Sequence, residues 1–498
     1  MRATPQSMRA ARGVSSLVFR RTITRSSLRS SSTNAVAAVT SSSPSDSPTT
    51  LQTAMSAATN LVEPALPSLF KDAKPHLIDS TLGSQPSFVR GFSGDELASF
   101  IMVSMATSSS GMVRLSTKLM PFTPNFLIKH FVFPIYCGGE TFEEVVKTGR
   151  KLLNRGYNNM MLSYSVEDAE GNSTSKQELF AQAVPEICRS IDGILVKHYD
   201  QAKELYESGQ SATMPASGYI ALKPTGLMEG AADILRNYNK PGYEAKWESY
   251  LNICRQICQY AVDKGEGKAV IVFDAEKRLL QDGVYAAQRA MMQEFNRDGN
   301  VYVIGTVQMY LQDSLERVKA DFEHARTNGY LLGLKLVRGA YLHSELDRYN
   351  VIHRTKAESD TSYNTGVAFL LDDIISGWKN PTHSRTVGRL IVASHNEESA
   401  ALAHERMLAE APLGFDANSD ESVIFGQLMG MADDQGKALI ERGRKVIKYV
   451  PWGPLGETKE YLVRRLEENG DSARQGGLAY VRYGLGEAFG RLFGRQKE

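Results

Sequence analysis

The sequence predicts a (β/α)8 barrel preceded by a helical extension, and two observations lead to this fold class. First, eight short runs of apolar and β-branched residues alternate with segments of helical periodicity. Second, side chains suited to chemistry occur where these runs end, which is where a barrel carries its active site. The composition, 42% hydrophobic and 23% charged, is that of an ordinary globular protein.

The first 46 residues differ from the rest of the chain. They contain seven arginines and many serines and threonines, but no lysine and no acidic residue before Asp46. This composition is typical of a mitochondrial transit peptide, although a disordered basic tail would share it. We therefore expect a transit peptide over residues 1–46. The proline-containing residues 47–91 are predicted to be a linker or a loosely docked arm.

Residues 92–156 are predicted to form an apolar helical region before the barrel. Apolar side chains recur at helical spacing, as at Leu97, Ile101 and Met105. Lys118 and Lys129 interrupt the longest apolar stretch before it reaches the roughly 18 residues of a membrane-spanning helix. We therefore expect no membrane span in this region.

The barrel itself is predicted over residues 157–474. Its strands are predicted at 159–163, 218–222, 269–273, 301–307, 331–337, 389–393, 422–425 and 445–450. Segments between them, such as 247–264 and 282–296, have helical periodicity. Cys254 and Cys258 share an apolar face of the first of these helices, so we interpret them as core residues rather than as a redox or metal site.

Polar or ionisable residues lie at the ends of most predicted strands. They are Lys223, Asp274, Gln308, Arg338, His395, Gln427 and Tyr449. Any one of them could be a solvated strand end. Because they recur on seven of eight strands, we expect a shared site at the mouth of the barrel.

Several strings resemble the proline dehydrogenase (proline oxidase) family in its monofunctional mitochondrial form. They are FDAE at 273–276, LKLVRGAY at 334–341, TKAESDTSYN at 355–364, ASHN at 393–396, FGQLMGM at 425–431 and KYVPWGPLGETKEYLVRR at 448–465. The resemblance implies a distorted (β/α)8 barrel that holds FAD and oxidises L-proline to Δ1-pyrroline-5-carboxylate. It also implies ubiquinone as the electron acceptor and peripheral association with the inner mitochondrial membrane.

The helix predicted after the last strand places Tyr461, Arg464 and Arg465 on one side. In isolation, Arg464 could be exposed and paired with Glu468. Two adjacent guanidiniums at a barrel mouth instead favour an anion, because a carboxylate accepts a guanidinium in a bidentate manner. The resemblance assigns Arg464 and Arg465 to the proline carboxylate, with Lys223 as a further cation.

The resemblance implies roles for other residues too. Asp274 would hold one of the cations in place, Tyr449 and Tyr461 would pack on the pyrrolidine ring, and Leu428 would form an apolar wall. The residues implied to contact FAD are Gln308, Lys335, Arg338, Gly339, Ala340, Lys356, Ser394, His395, Asn396 and Glu468. The glycines at 484–490 follow no convincing strand, so we do not interpret them as a Rossmann site.

Other functions stay open at this point. A Schiff-base lyase or aldolase would use Lys223 or Lys335 as its nucleophile. A hydroxyproline dehydrogenase of the same family and a non-catalytic, membrane-associated helper are further alternatives. The balance of 57 basic and 56 acidic residues does not favour nucleic-acid binding, and the histidine spacing does not favour a metal site.

Two further expectations concern the reaction and the C-terminal tail. We expect no strong general base, because a neutral amine can expel hydride directly once it is oriented. The second step of proline breakdown is expected to belong to another protein. The aromatic and basic tail, residues 475–498, could lie on an anionic membrane or dock on the protein's own surface.

Overall fold

The computed structural model describes most of the chain after residue 86. The described residues are Leu77 and residues 87–165, 174–342, 345–380, 382, 384–415, 420–456, 458, 461–463, 465 and 477–493. The predicted transit peptide, Arg464 and Glu468 lie outside the described residues.

Eight parallel strands form a closed barrel in sequential order, with β1 paired to β8. The strands are β1 (Asn159–Tyr164), β2 (Gly218–Leu222), β3 (Ala269–Phe273), β4 (Val303–Gln308), β5 (Leu332–Val337), β6 (Val387–Ala393), β7 (Val423–Leu428) and β8 (Val446–Trp452). The predicted fold class is thereby confirmed. The strands are buried on both faces, which is why they are nearly continuous apolar runs in the sequence.

Helices precede the barrel, alternate with its strands and follow it. They are α1 (Gly94–Ala106), α2 (Ser110–Leu119), α3 (Asn125–Phe131), α4 (Phe133–Tyr136), α5 (Phe142–Asn154), α6 (Thr174–Ser190), α7 (Lys197–Glu207), α8 (Ala231–Asn237), α9 (Glu244–Lys264), α10 (Arg278–Phe295), α11 (Ser314–Asn328), α12 (Arg348–Val351), α13 (Lys356–Lys379), α14 (Glu397–Glu410), α15 (Asp433–Glu441) and α16 (Gly477–Leu492). Short 3-10 turns cover Ser87–Gly91, Met120–Phe122 and Pro224–Gly226, and a π-helical turn covers Ile191–Val196.

Alternation along the strands sorts side chains into two layers. One set, including Met161, Tyr219, Val272 and Ile391, fills the barrel interior. The other set packs against the surrounding helices in the largest apolar cluster. Cys254 and Cys258 belong to that outer cluster and are fully buried.

The helices before the barrel pack on two different surfaces. Ser93 and Glu96 form a capping box that begins α1. Phe92 and Leu97 cluster with Tyr480 of α16, so the C-terminal helix lies against α1. The other apolar side of α1–α4 packs against residues at the barrel mouth: Leu428, Met431, Tyr449, Leu455, Tyr461 and Leu462. None of the described helices combines the length and apolar character needed to cross a bilayer.

Candidate active site

Asp274 is the centre of a charged cluster at the carboxyl ends of the strands. It follows β3 directly and is 6% exposed. Lys335 Nζ lies 2.5 Å from Asp274 Oδ1, and Lys223 Nζ lies 3.6 Å from Oδ2. The Tyr449 hydroxyl donates to Oδ2 at 2.7 Å. Four strands, β2, β3, β5 and β8, therefore bring together one carboxylate, two ammonium groups and a phenol.

Electrostatics keep this cluster charged. Burial alone would raise the pKa of Asp274, but the charges of Lys335 and Lys223 outweigh it and hold the pKa below its usual value. Burial and the Asp274 charge raise the pKa of Tyr449 above its usual value, so the phenol stays protonated. Two ammonium groups therefore lie beside one carboxylate at the barrel mouth, and such groups are strong hydrogen-bond donors to an anionic ligand.

A second group of polar residues links the ends of β5 and β6. Arg338 donates from Nη2 to Ser394 Oγ at 3.1 Å and to Ser399 Oγ at 3.0 Å, and its Nη1 lies 2.8 Å from Asp360 Oδ1. Its guanidinium lies 4.4 Å from the Tyr363 ring centroid. The position of Arg338 is therefore fixed from several sides.

Neighbouring residues complete this edge. Lys356 at the start of α13 pairs with Asp360 at 2.5 Å but is largely exposed. Asn396 begins α14, where its side chain accepts from the Ser399 backbone N–H. Ala340 is exposed in the turn after β5. These residues form a polar rim beside the charged cluster.

His395 is a neutral acceptor in this arrangement. Burial, followed by the charges of Lys448 and Arg465, lowers its pKa to about 3. Its Nε2 accepts the Leu428 backbone N–H at 3.0 Å, which couples the end of β6 to the end of β7. The same bond positions Leu428, the predicted apolar wall.

Two features fit a large polar ligand across the ends of β4 to β6. Gln308 is fully buried and donates from Nε2 to the Glu276 carbonyl at 2.8 Å. Its Oε1 has no hydrogen-bond partner within the described part of the chain. Gly339 has a φ of +84°, and a Cβ there would meet open space. The residues that the resemblance assigns to FAD thus offer the Gln308 Oε1 acceptor, the Arg338 cation and, at Gly339, a backbone segment with free space beside it.

The helix after β8 contributes a third part of the site. Arg465 is 6% exposed, and its guanidinium lies 4.8 Å from the ring centroid of the buried Tyr461. The charge of Arg465 also lowers the pKa of His395. Tyr461 joins the apolar cluster that includes Leu428 and Tyr449. Arg464 and Glu468 cannot be placed, since both lie outside the described residues.

One strand-end prediction was wrong. Gln427 was expected at the mouth, but it faces outward, where its Oε1 accepts from Lys448 Nζ at 2.9 Å. The error arises because Gln427 lies within β7 rather than after it, and alternation turns it away from the interior.

Lys448 was not predicted from the sequence as part of the site. It is fully buried outside the barrel, and its Nζ also contacts the Met431 carbonyl at 2.8 Å and Asp433 Oδ1 at 2.9 Å. The Tyr157 hydroxyl donates to the same carboxylate oxygen. Lys448 therefore fixes the loop after β7, which follows Leu428. Alternation from Tyr449 could have indicated that Lys448 faces outward, but not which carboxylate it meets.

Comparison with known proteins gives a consistent result. The family model described as proline dehydrogenase matches residues 145–476. The "Carbapenem antibiotics biosynthesis protein CarD" of Pectobacterium carotovorum is 32% identical, over 72% of this chain and 85% of that protein. The "Probable proline dehydrogenase, mitochondrial" of Schizosaccharomyces pombe is 29% identical, over 74% of this chain and 80% of that protein.

A solved structure supports the same fold. The chain resembles proline utilization A (PutA) from Bdellovibrio bacteriovorus inactivated by N-propargylglycine, with a TM-score of 0.54 and 21% identity. The match covers 75% of this chain and 36% of that longer chain. Since the family model matches well over half of the sequence, the chain belongs to the proline dehydrogenase family.

Proposed function

We propose that the protein oxidises L-proline to Δ1-pyrroline-5-carboxylate with FAD as cofactor and ubiquinone as the final electron acceptor. Family membership supports proline oxidation in general. The observation that carries the proposal is the cluster of Asp274, Lys223, Lys335 and Tyr449, which brings two ammonium groups, a carboxylate and a phenol ring together at the barrel mouth.

The substrate is proposed to bind through its carboxylate. Arg465, with Arg464 and Lys223, supplies cations for this group. The pyrrolidine ring would pack against Tyr449, Tyr461 and Leu428, which share one apolar cluster beside these cations. The phenol of Tyr449 is fixed by its bond to Asp274, so the ring wall is rigid before substrate binds.

The cofactor is proposed to be held by residues at the ends of β4 to β6. Gln308, Lys335, Arg338, Ser394 and His395 supply donors and acceptors there. When bound, FAD would accept a hydride from C5 of proline. Asp274 keeps Lys335 in place at this edge, and His395 remains an uncharged acceptor because its pKa is about 3. No residue in the set has to remove a proton, since proline would bind with a neutral amine.

The location is proposed to be the matrix side of the inner mitochondrial membrane. The Arg-rich, acid-poor residues 1–46 and the mitochondrial name of the Schizosaccharomyces pombe relative support it. A ubiquinone acceptor requires access to the membrane, which implies peripheral association.

The absorbance spectrum of the purified protein tests the proposal. We expect a flavin spectrum that bleaches when L-proline is added without oxygen and returns on addition of a quinone. A colourless protein that is trapped on lysine by borohydride with a carbonyl substrate would support the Schiff-base alternative instead.

A variant at Arg465 tests the substrate assignment. Arg465→Met should bind FAD normally but raise the KM for proline roughly 10- to 150-fold, since a bond between charged groups is worth about 1.5 to 3 kcal/mol. Arg465→Lys, which keeps the charge, should show a smaller loss. Near-normal proline affinity in Arg465→Met would refute the assignment.

A further inference from the structure

The helices before the barrel expose an unusual number of large apolar side chains. These residues, which we call the outer face, are Met102, Met105, Met112, Leu115, Leu119, Phe122 and Phe126. Each is at least 40% exposed, and Phe122 reaches 83%. They follow one another mostly at spacings of three or four residues through α1, α2 and α3, so they recur on one side of these helices. A monomeric protein rarely leaves so many large apolar groups in water without a partner.

The charge of this region selects the kind of partner. The sequence from residue 97 to residue 139 contains no acidic residue. Arg114 and Lys118 are exposed on α2, the helix that also carries Leu115 and Leu119. Lys129 is different, because it pairs with Glu140 and Glu144. Apolar side chains flanked by unopposed basic residues are the composition that binds an anionic lipid surface.

A second copy of the chain fits this face less well. In a two-fold symmetric dimer the same patch meets itself, so Arg114 and Lys118 would approach their own counterparts. Like charges at the centre of an interface are unfavourable.

The opposite side of the same helices connects the outer face to the catalytic site. Val103, Met120 and Ile128 point inward and cluster with Leu428 and Tyr461 at the barrel mouth. A bilayer on the outer face would therefore lie on the same side of the protein as the mouth. An electron acceptor dissolved in lipid would then be near the site that is proposed to generate the electrons.

One side of the C-terminal helix packs against the protein itself. Tyr480 and Tyr483 of α16 pack against α1, and a Cβ at Gly484 would lie 2.6 Å from Ile101 Cγ1. Arg491 is engaged with Glu487 and with the Val89 carbonyl. This packing occupies part of the aromatic and basic surface of α16, while Leu485, Phe489 and Leu492 of the same helix are exposed.

We propose that the outer face of α1–α3, rather than the tail helix, binds a bilayer that contains anionic lipid. The purpose of this membrane binding rests on the proposed function, but its measurement by flotation does not depend on that function. The full-length flavin-loaded protein would be mixed with vesicles of phosphatidylcholine containing cardiolipin, or of phosphatidylcholine alone, and separated by flotation.

Two variants target the outer face. The double variant that combines Leu115→Glu with Phe122→Glu should lower the floated fraction at least tenfold. The double variant that combines Arg114→Gln with Lys118→Gln should lower binding to cardiolipin vesicles about fivefold per basic residue. It should change binding to neutral vesicles little. Both should keep normal proline oxidation with a soluble dye and lose activity toward ubiquinone held in vesicles. A wild-type protein that does not oxidise proline with the dye would refute the proposed function, independently of flotation.

The controls carry the same substitution elsewhere. Leu408→Glu, on an exposed position of α14, should float like the wild type. Leu485→Glu/Phe489→Glu tests the exposed side of α16 and should have the smaller effect. Unchanged flotation of Leu115→Glu/Phe122→Glu overturns the proposal. The proposal is also overturned if this variant changes the oligomeric mass or the melting temperature while flotation stays the same. In that case the outer face would be covered by a second copy or by the chain itself.

Discussion

Neighbouring side chains of β8 meet buried carboxylates on opposite sides of the barrel wall. Tyr449 points inward to Asp274, and Lys448 points outward to Asp433. Lys448 has three acceptors for its three ammonium hydrogens, so the outer cluster is saturated. The inner cluster joins Lys223 and Lys335 to Asp274 at the mouth of the barrel. The outer cluster therefore fixes a loop, whereas the inner cluster lies at the strand ends, where a barrel binds its ligand.

The largest effect is expected from breaking the outer cluster. Lys448→Met should lower the free energy of unfolding by about 3 to 5 kcal/mol, because it leaves Asp433 charged and buried. Chemical denaturation would measure the loss. Adding Asp433→Asn to Lys448→Met should recover part of the lost free energy of unfolding, since the buried charge is then removed. If Lys448→Met were as stable as the wild type but failed to bind proline, the assignment of the two clusters would have to be reversed.

The strands could be predicted because each one is recognised from its own short run of apolar residues. The predicted bounds 218–222 and 269–273 are those of β2 and β3, since a strand buried on both faces must be apolar throughout. β7 was predicted too short, because Gly426 and Gln427 interrupt its apolar run. The predicted helix at 247–264 begins three residues earlier in the structure, at Glu244.

The pairings within the site were not predictable in the same way. From the sequence, Asp274 was expected among Lys223 and the two arginines, but its shortest ion pair among the described residues is to Lys335, on a strand that is not its neighbour. Such a contact depends on the diameter and stagger of the closed barrel. The separation of Lys448 from Asp433 is likewise set by the loop after β7, where Ala432 adopts a positive φ of 50°.

The next largest effect is expected from the inner cluster. Lys223→Met should raise the KM for proline roughly 10- to 150-fold, the equivalent of about 1.5 to 3 kcal/mol. It should change stability much less than Lys448→Met does, because Asp274 keeps Lys335 and Tyr449 as partners. Steady-state kinetics with a dye acceptor would be compared with Lys268→Met, which removes a surface cation paired with Asp200 and Glu266. A stability loss equal to that of Lys448→Met would show that the inner cluster is also structural.

Substrate choice should respond to Tyr449. The Tyr449 phenol is held by Asp274. If it packs on the proline ring as proposed, it would leave little room for a hydroxyl group there, whereas serine would leave space and a hydrogen-bond partner. Excluding one group by shape is worth about 1 to 3 kcal/mol, so we expect a preference for proline over trans-4-hydroxy-L-proline of tens to a few hundredfold. Tyr449→Ser should slow proline turnover and narrow that ratio of kcat/KM. Equal kcat/KM for the two substrates in the wild type would favour hydroxyproline dehydrogenase.

Counted per pH unit, the smallest effect is expected from acid, which should act through His395. His395 has a native pKa of about 3, whereas an unfolded histidine titrates near 6.5. Between these values the unfolded chain binds a proton that the native state does not. The stability contribution is therefore present above about pH 6.5 and is lost as the pH falls toward 3. The slope is up to about 1.4 kcal/mol per pH unit for each such histidine.

His395→Gln should remove this share of the slope while keeping an acceptor for the Leu428 N–H. His198 and His404, whose pKa values are lowered to about 4 chiefly by burial, would supply the acid sensitivity that remains. His130→Gln, at an exposed position, serves as the control for replacing a histidine by glutamine. Denaturation series between pH 4 and 7 would measure all three proteins. A slope in His395→Gln equal to that of the wild type would mean that His395 binds a proton as readily in the native state as in the unfolded chain, which would contradict its role as a neutral acceptor.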